Sequence, residues 1–246
     1  MNIVLVHGAW HGGWCWRRVA PILRAHGHDV FTPTLTGLSD RAHLLHPGVG
    51  LSTHVEDVVR LLDSEDLHDV VLVGHSYAGM VVSGVSERVP GRLAYRVHLD
   101  AFVPRAGEAA IDLLPEQIAH HYHESVTGAG FGWLIPPRSL TVLGVTSQTD
   151  LEWLTPRLTP HPWLSYTEKL PLSAGEAAVP GVFVECTDWM RVFQPQADRA
   201  RQRGWPVLTV ATGHEAMVTA ATELAAVLHD IAETAAPTEQ QQKGST

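Results

Sequence analysis

The sequence predicts an α/β protein with a mostly parallel central sheet flanked by helices. Short apolar segments typical of buried strands alternate along the chain with segments of helical periodicity. This order indicates a parallel sheet, because a helix then crosses from each strand to the next. The 246 residues, of which 45% are hydrophobic, are enough to bury one large core. We therefore predict a single domain over residues 1–235, followed by a disordered polar tail at 236–246.

The apolar pattern and the residues that begin and end helices predict the elements in turn. The predicted strands are Asn2 to Val6, Asp29 to Thr32, Asp69 to Val73, Tyr95 to Leu99, Val182 to Glu185 and Val207 to Val210. The predicted helices are Trp16 to His26, Ser52 to Leu62, Ser76 to about Val89, Gln196 to Arg203 and about Glu215 to Glu233. Ser52 is the expected N-cap of the second helix, because its hydroxyl can accept from a free amide of the first turn.

The alternation of strand and helix is interrupted over residues 104–180. This stretch is rich in Pro, Trp and His and contains only short helical patterns such as Asp150 to Leu154. Long irregular insertions in compact domains are usually functional, so we predict an inserted helical lid over the carboxyl edge of the sheet. Its tryptophans, including Trp133, Trp153 and Trp163, are assigned to the core of the lid, with the alternative that one or two of them line an apolar acyl pocket.

Composition and charge exclude several classes of partner. The formal net charge of −9 comes from 17 basic and 26 acidic residues without a basic block, so neither nucleic acid nor an anionic membrane is an expected partner. No stretch reaches the roughly 18 apolar residues of a membrane span, and no secretory signal is recognised. Cys15 and Cys186 are not in a CxxC pair, which is compatible with a reducing compartment. We expect a cytoplasmic protein; the sequence does not predict its oligomeric state.

A serine follows the third predicted strand in the run VVLVGHSYAGM, Val70 to Met80. Ligands of open α/β sheets bind beyond the carboxyl ends of the strands, so Ser76 lies at the expected binding crevice. Small residues at Gly74 and Ala78 allow the strand and the next helix to approach closely, while a sharp turn exposes the serine hydroxyl. The pattern predicts a nucleophile, although Ala78 stands where the commonest G-x-S-x-G form has glycine.

A serine nucleophile needs a base and an oxyanion hole, and the sequence offers candidates for both. The base is usually a histidine that a carboxylate orients. His214 follows the last predicted strand in VLTVATGHEAMV and is the expected base. The loop VLVHGAW follows the first strand and is expected to supply half of the oxyanion hole. We assign the backbone amides of Ala9 and Tyr77 to this role.

The segments VHGAWHGGWCW, GHSYAGM and TGHEAMV together resemble the α/β-hydrolase superfamily, over the whole chain apart from its tail. They are most similar to the plant methylesterase and hydroxynitrile lyase group and its bacterial relatives. The resemblance implies the α/β-hydrolase fold and a small acyl or hydroxynitrile ligand beneath a helical lid, without a metal or an organic cofactor. Plant lyases of this type have a lysine after the catalytic histidine and a threonine in the oxyanion loop, where this chain has Glu215 and Ala9.

Two aspartates at predicted strand ends are candidates for the carboxylate that orients the histidine. Asp188 follows VFVEC, where the superfamily most often has its acid, although the related lyases and esterases have theirs nearer Trp189 or Met190. Asp100 ends the strand after the nucleophile helix, a position that some lipases of the superfamily use. A charged group at a buried strand end is costly without a partner. We prefer Asp100 and keep Asp188 as the alternative.

The remaining histidines near these motifs are assigned to structure. We expect His7 and His11 to shape the oxyanion loop and His75 to pack at the turn of Ser76. The run HHYHE, residues 120–124, suggests a metal site, but adjacent histidines on a helix point in different directions and no HExxH spacing is present. We predict a solvated lid helix there and no metal site.

The predicted function is that of a serine hydrolase, a carboxylesterase that cleaves a small or medium carboxylic ester through a Ser-His-Asp triad and an acyl-enzyme. An alternative is a lyase or elimination enzyme that uses Ser76 and His214 for proton transfer. A third class, a ligand receptor on the same scaffold, needs the pocket but no turnover. The expected partner is a small-molecule ester or a related acyl compound, and no cofactor is expected.

Overall fold

Six strands form the central sheet of the computed structural model, and every neighbouring pair is parallel. In spatial order they are β2 (Asp29–Phe31), β1 (Asn2–Val6), β3 (Val70–His75), β4 (Leu93–Leu99), β7 (Gly181–Cys186) and β8 (Val207–Val210). The predicted mostly parallel α/β sheet is confirmed. The structure describes residues 1–171 and 179–235, so the predicted tail at 236–246 lies outside the described residues.

Helices connect the strands and cover the sheet. They are α1 (Ala20–Ala25), α2 (Leu51–Ser64), α3 (Ala78–Arg88), α4 (Glu116–Thr127), α5 (Gln148–Leu154), α6 (Leu164–Thr167), α7 (Gln194–Gln202), α8 (Ala216–Thr219) and α9 (Ala221–Ala235). Short 3-10 helices occur at Gly13–Arg18, Ser39–Leu44, Pro90–Arg92, Ala110–Leu113, Leu140–Leu143 and Thr155–Arg157. No helix of the described ranges is long and apolar enough to cross a membrane.

The strands in the middle of the sheet are buried on both faces. Every residue of β3 and of β7 is buried, because helices pack against the two sides of a parallel sheet. This explains why VVLV in β3 and GVFV in β7 are continuous apolar runs rather than alternating ones. Both cysteines, Cys15 and Cys186, are free thiols within this core. Polar side chains that are buried at the carboxyl ends of these apolar strands are therefore exceptions to the pattern, because burying a polar group costs free energy unless it has a partner.

The second helix begins one residue before the predicted N-cap. Gly50 caps α2, so Ser52 lies inside the first turn and the prediction that its hydroxyl caps the helix is wrong. The Ser52 amide instead donates to the Glu168 carboxylate at 3.1 Å. A carboxylate at a helix N-terminus is favourable because it satisfies a free amide and opposes the positive end of the helix dipole. A side chain of the inserted segment thus accepts from a first-turn amide of α2, the role that the sequence analysis assigned to the Ser52 hydroxyl.

Three other predicted helices differ from the observed ones. The segment predicted as one helix from Trp16 is a 3-10 helix followed by α1, whose first turn contains Pro21. The third helix begins at Ala78 rather than Ser76. The last predicted helix is divided into α8 and α9 at Ala220, whose φ of −144° and ψ of 48° are not helical. In each case a local backbone constraint ends or delays the helix within an otherwise continuous periodic pattern.

The insertion between β4 and β7 contains α4, α5, α6 and a small antiparallel pair, β5 (Leu134–Ile135) with β6 (His161–Pro162). Its residues 172–178 lie outside the described ranges. Trp153 and Trp163 are half-buried and pack against the hydrophobic core, and Trp133 is half-buried. The predicted interruption of the α/β pattern therefore corresponds to a separate layer of short elements.

Candidate active site

Ser76 lies in the turn between β3 and α3, with its backbone in the left-handed region at φ 56°. Residues other than glycine adopt this conformation where neighbouring structure holds them in it. The Ser76 amide donates to Leu99 O at 3.1 Å, and the Phe102 amide donates to Ser76 O at 3.2 Å. The end of β4 and the segment after it therefore hold the serine turn in place.

Small residues allow α3 to begin close to β3 and β4. A Cβ added at Gly74 would lie 2.6 Å from Ala78 O, and one added at Gly79 would lie 2.1 Å from Phe102 O. Both distances are far below van der Waals contact, so a larger residue at either position would push the helix away. The close approach that the sequence predicts at Gly74 is present, and alanine at position 78 is compatible with it.

The loop after β1 lies against the serine turn because β1 and β3 are neighbours in the sheet. A Cβ added at Gly8 would be 3.0 Å from Ser76 Cβ and 2.8 Å from His75 Nδ1, so the two segments nearly touch. Ala9 and Tyr77, the predicted oxyanion-hole residues, come next in these two segments and are both buried. The structure thus brings their backbones close together at the carboxyl ends of β1 and β3.

Two buried histidines hold the loop that carries Ala9. His11 Nδ1 donates to Ala9 O at 2.7 Å. His7 accepts from the Leu35 amide at Nε2 at 3.0 Å, so its Nδ1 carries the hydrogen and donates to Gly8 O at 2.8 Å. Burial lowers the pKa of His7 to about 3, which keeps this ring neutral at neutral pH. Both histidines have the structural position that the sequence predicts for them.

His214 is hydrogen-bonded to Asp100, with 2.7 Å between His214 Nδ1 and Asp100 Oδ2. A carboxylate only accepts, so Nδ1 carries the hydrogen and the lone pair of Nε2 is free to receive a proton. Asp100 is almost fully buried, and this burial raises its pKa, while the bond to His214 acts in the opposite direction. Its other oxygen accepts from the Cys186 amide at 3.4 Å. Asp100 therefore has two donors at the end of β4.

The alternative acid, Asp188, is exposed and does not contact His214. Its carboxylate accepts from the Thr187 hydroxyl at 3.1 Å. The next residue, Trp189, instead stacks on the His214 ring, with 4.6 Å between ring centroids. Of the two predicted candidates, the structure therefore pairs only Asp100 with the histidine.

Aromatic rings fix the plane of the His214 imidazole. Phe193 is nearly parallel to it at 5.2 Å between centroids, and the His75 ring lies 4.4 Å away. His75 Nε2 donates to His214 O at 2.9 Å, and burial lowers the pKa of His75 well below its usual value. His75 packs at the turn as predicted. Trp189 and Phe193 were not predicted, because nothing in the local sequence pattern indicates that these side chains turn toward a residue on another loop.

A small cavity of about 30 Å³ lies at the serine turn. Ser76 and His214 both line it, and most of its other walls are apolar or aromatic. These walls include Phe102, Leu114, Ile118, Tyr122, Leu143, Tyr166, Val192 and Phe193. Apolar walls with a few convergent polar groups are typical of small-molecule sites. The tryptophans that line it are Trp10 and Trp189, and none of the three that the sequence analysis singled out is among them.

Arg138 brings a positive charge to this apolar cavity. Its guanidinium lies 5.7 Å from the centre of the Tyr122 ring and is half-buried. Among the residues that the structure describes, no carboxylate forms an ion pair with Arg138. Sequence reasoning missed this residue because a single arginine in a Pro-rich insertion has no distinguishing pattern.

The histidine-rich run at 120–124 lies on α4, as predicted for a solvated helix. His120, His121 and His123 are exposed, and His120 Nε2 lies 3.3 Å from a carboxylate oxygen of Glu124. Tyr122, in the middle of the run, is buried and lines the cavity. The run is thus divided between the two faces of the helix.

Comparison with known proteins identifies a family and several relatives. The model of the alpha/beta hydrolase family matches residues 3–227. The carbendazim hydrolyzing esterase of Nocardioides sp. (strain SG-4G) is 39% identical over 237 residues, which are 91% of this chain and 96% of that protein. Methylesterase 10 of Arabidopsis thaliana is 34% identical over 116 residues, which are 47% of this chain and 42% of that protein.

Solved structures with the same fold cover nearly the whole chain. Tomato methylketone synthase I has a TM-score of 0.77 at 21% identity and covers 96% of this chain and 98% of its own. An extracellular alpha/beta-hydrolase from a Paenibacillus species has a TM-score of 0.76 at 20% identity, with 97% and 100% covered. These likenesses support the fold.

Proposed function

This chain belongs to the alpha/beta hydrolase family as an esterase-type enzyme, and we propose that it hydrolyses small carboxylic esters through an acyl-enzyme on Ser76. One observation carries the proposal. His214 lines the same cavity as Ser76 and is bonded through Nδ1 to the buried Asp100 at 2.7 Å. This arrangement leaves Nε2 as the base and suits a serine, a histidine and an aspartate that act together.

Acylation begins when His214 Nε2 accepts the hydroxyl proton of Ser76 and Oγ attacks the ester carbonyl. Negative charge then develops on the carbonyl oxygen, where the backbone amides of Ala9 and Tyr77 donate to it. Asp100 holds the ring of His214 in the required tautomer and stabilises the imidazolium that forms. The tetrahedral intermediate collapses, His214 gives its proton to the alcohol, and the acyl group stays on Ser76.

Hydrolysis of the acyl-enzyme uses the same groups in a second half-reaction. His214 Nε2 accepts a proton from a water molecule, whose oxygen attacks the acyl carbonyl. The same amides stabilise the second oxyanion, and the proton returns to Ser76 Oγ as the carboxylic acid leaves. The apolar walls of the cavity exclude other water and strengthen the electrostatic interactions within it.

The cavity and the relatives support a small substrate. The apolar and aromatic walls of the cavity suit an apolar acyl group, and its small volume favours a small one. The names of the relatives, an esterase and methylesterases, support an ester with a short alcohol such as methanol. Arg138 adds a positive charge that pairs with no carboxylate of residues 1–171 and 179–235, so we propose that preferred substrates carry an anionic group away from the ester.

The acyl-enzyme is the property that tests this proposal. We expect wild-type protein, mixed with a panel of small esters, to gain the mass of the acyl group and to react with a serine-directed phosphonate. Ser76→Ala should lose both the adduct and turnover, because it removes the nucleophile. Intact-protein mass spectrometry measures the adduct.

A matched control is available on the nucleophile helix itself. Ser83 donates its hydroxyl to Gly79 O at 2.8 Å, away from the cavity lining, and Ser83→Ala should retain phosphonate labelling. Labelling of Ser76→Ala at the wild-type rate would contradict the proposal. Turnover that depends on Ser76 but never yields an adduct and releases no acid would instead indicate the lyase alternative.

A further inference from the structure

A group of metal-ligating side chains lies near the amino ends of the sheet strands, whereas the candidate active site lies at their carboxyl ends. His28 precedes β2, whereas Ser76 follows β3, so the two residues are at the amino and carboxyl ends of parallel strands. His229 and Glu233 are four residues apart on α9 and therefore share one face of that helix. The two histidines are 201 positions apart in sequence, which explains why sequence reasoning did not connect them.

The three side chains converge to the spacing of a metal site. His28 Nε2 is 2.9 Å from His229 Nδ1, and one ligand atom from each of the three residues lies within 4.8 Å of the others. Around a tetrahedral ion with bonds of about 2.1 Å, ligand atoms are roughly 3.4 Å apart, so small side-chain rotations would complete the geometry. Within the described ranges, this is the one group of three such residues that meets this spacing.

We propose that His28, His229 and Glu233 bind a divalent transition-metal ion of the zinc class. Two imidazole nitrogens and a carboxylate oxygen form a ligand set that suits zinc, cobalt or nickel better than magnesium or calcium. His28 is buried at 4% exposure, whereas Glu233 is exposed, so the ion reaches the site from solvent and keeps an open position for water.

A neighbouring histidine packs against the ring of His229. The His26 ring lies 4.5 Å from the ring of His229, and His26 Nδ1 donates to Ile22 O at 2.9 Å. The site joins α9 to the start of β2 and so links the end of the described chain to the edge of the sheet. The ion is structural and leaves ester hydrolysis unchanged, because it lies at the end of the sheet away from Ser76.

Metal titration of the full chain tests the site directly. The protein is freed of metal with EDTA and titrated with Zn²⁺ by calorimetry at about pH 7.5, above the usual imidazole pKa of about 6.5. We expect saturable binding near neutral pH, a rise in Tm on binding, and visible absorption typical of tetrahedral coordination when Co²⁺ replaces zinc. Mg²⁺ should neither bind there nor compete.

Variants separate this site from other zinc-binding histidines. His229→Gln and Glu233→Gln are at least partly exposed positions that should fold, and each should weaken zinc binding about 10- to 100-fold and abolish the cobalt spectrum. His120→Gln, on exposed α4, is the control and should change neither. Zinc uptake and cobalt absorption that are unchanged in both site variants, or absent from the wild-type chain, would show that the two histidines share only a hydrogen bond.

Discussion

Glu215 follows His214 directly and is almost completely buried. Its carboxylate Oε2 is 3.3 Å from Nε2 of His11, and the other nitrogen of that ring donates to Ala9 O. The two side chains are thus in close contact, although the facing atoms do not meet the geometry of a hydrogen bond. The pair therefore joins the loop of the proposed base to the loop of the proposed oxyanion hole.

Removing this link should loosen both loops. We predict that Glu215→Gln lowers the free energy of unfolding by about 1–3 kcal/mol, because the buried carboxylate beside the His11 ring is replaced by an uncharged amide. A double-mutant cycle with His11→Gln, measured by urea unfolding, should give a coupling of at least about 1 kcal/mol. Additive effects of the two substitutions would show that the two side chains are merely neighbours.

The sequence was most informative for residues whose position depends on topology. Ser76, Asp100 and His214 each follow a strand, and in a parallel sheet the carboxyl ends of the strands lie at one edge. Their convergence could therefore be predicted. The rings of Trp189 and Phe193 against His214 could not, because contacts between side chains of different loops depend on packing that has no sequence period.

Among the elements, the insertion between β4 and β7 has the largest influence on the proposed substrate preference. It contributes Arg138 and the buried Tyr122 to the cavity. Its presence was evident from the interrupted alternation, and the helical pattern at Asp150 to Leu154 corresponds to α5, but its other elements were not evident. A short helix such as α6 depends on contacts with the rest of the molecule, since isolated helices of this length are unstable.

A charge-selective role of Arg138 predicts a substrate-dependent effect. Arg138→Gln should raise KM about 10-fold for a monoester of a dicarboxylic acid and leave the matching neutral diester nearly unchanged, because a hydrogen bond to a charged group is worth about 1.5–3 kcal/mol. Steady-state kinetics with both esters measure the difference.

The control for this prediction is an arginine outside the cavity. Arg157 lies against the Trp153 ring at 5.1 Å, away from the cavity walls, and Arg157→Gln should affect neither ester. Equal losses for the charged and neutral esters in Arg138→Gln would assign to Arg138 a structural role rather than selection of anions.

Across the whole molecule, several histidines are buried in their neutral form. Burial lowers the pKa of His7 and His98 to about 3 and of His54 to about 4, and it lowers those of His75 and His161 well below the usual value. The unfolded chain binds protons at about pH 6.5, where the folded chain does not. As pH falls below about 6.5, proton binding to these histidines in the unfolded chain lowers the free energy of unfolding. The decrease continues until pH reaches the pKa values of the folded state.

We predict that the free energy of unfolding decreases between about pH 6.5 and pH 5, with a loss of about 2 kcal/mol at the lower pH from each of His7 and His98. Asp100, whose pKa burial raises, acts in the opposite direction but is a single group. Urea unfolding at several pH values measures the slope, which reports proton uptake. A stability that does not change over this window would contradict the prediction.

One of these histidines can be replaced with little change in hydrogen bonding. His98 Nδ1 donates to Phe102 O at 2.8 Å, and the amide of Asn can donate in its place without titrating. His98→Asn should reduce the proton uptake on unfolding by about one near pH 5. The exposed His120→Asn is the control and should leave the slope unchanged.

The central claim is that Asp100 orients His214 for nucleophilic attack by Ser76, and the amide variants of the two candidate aspartates test it most directly. Asp100→Asn should lower kcat by on the order of 10³–10⁴, because the amide cannot hold the required tautomer or stabilise the imidazolium. Asp188→Asn should retain nearly all activity, since Asp188 is exposed and bonded to Thr187. Circular dichroism establishes that both variants are folded. Near-normal kcat in Asp100→Asn together with a collapse in Asp188→Asn would contradict the account.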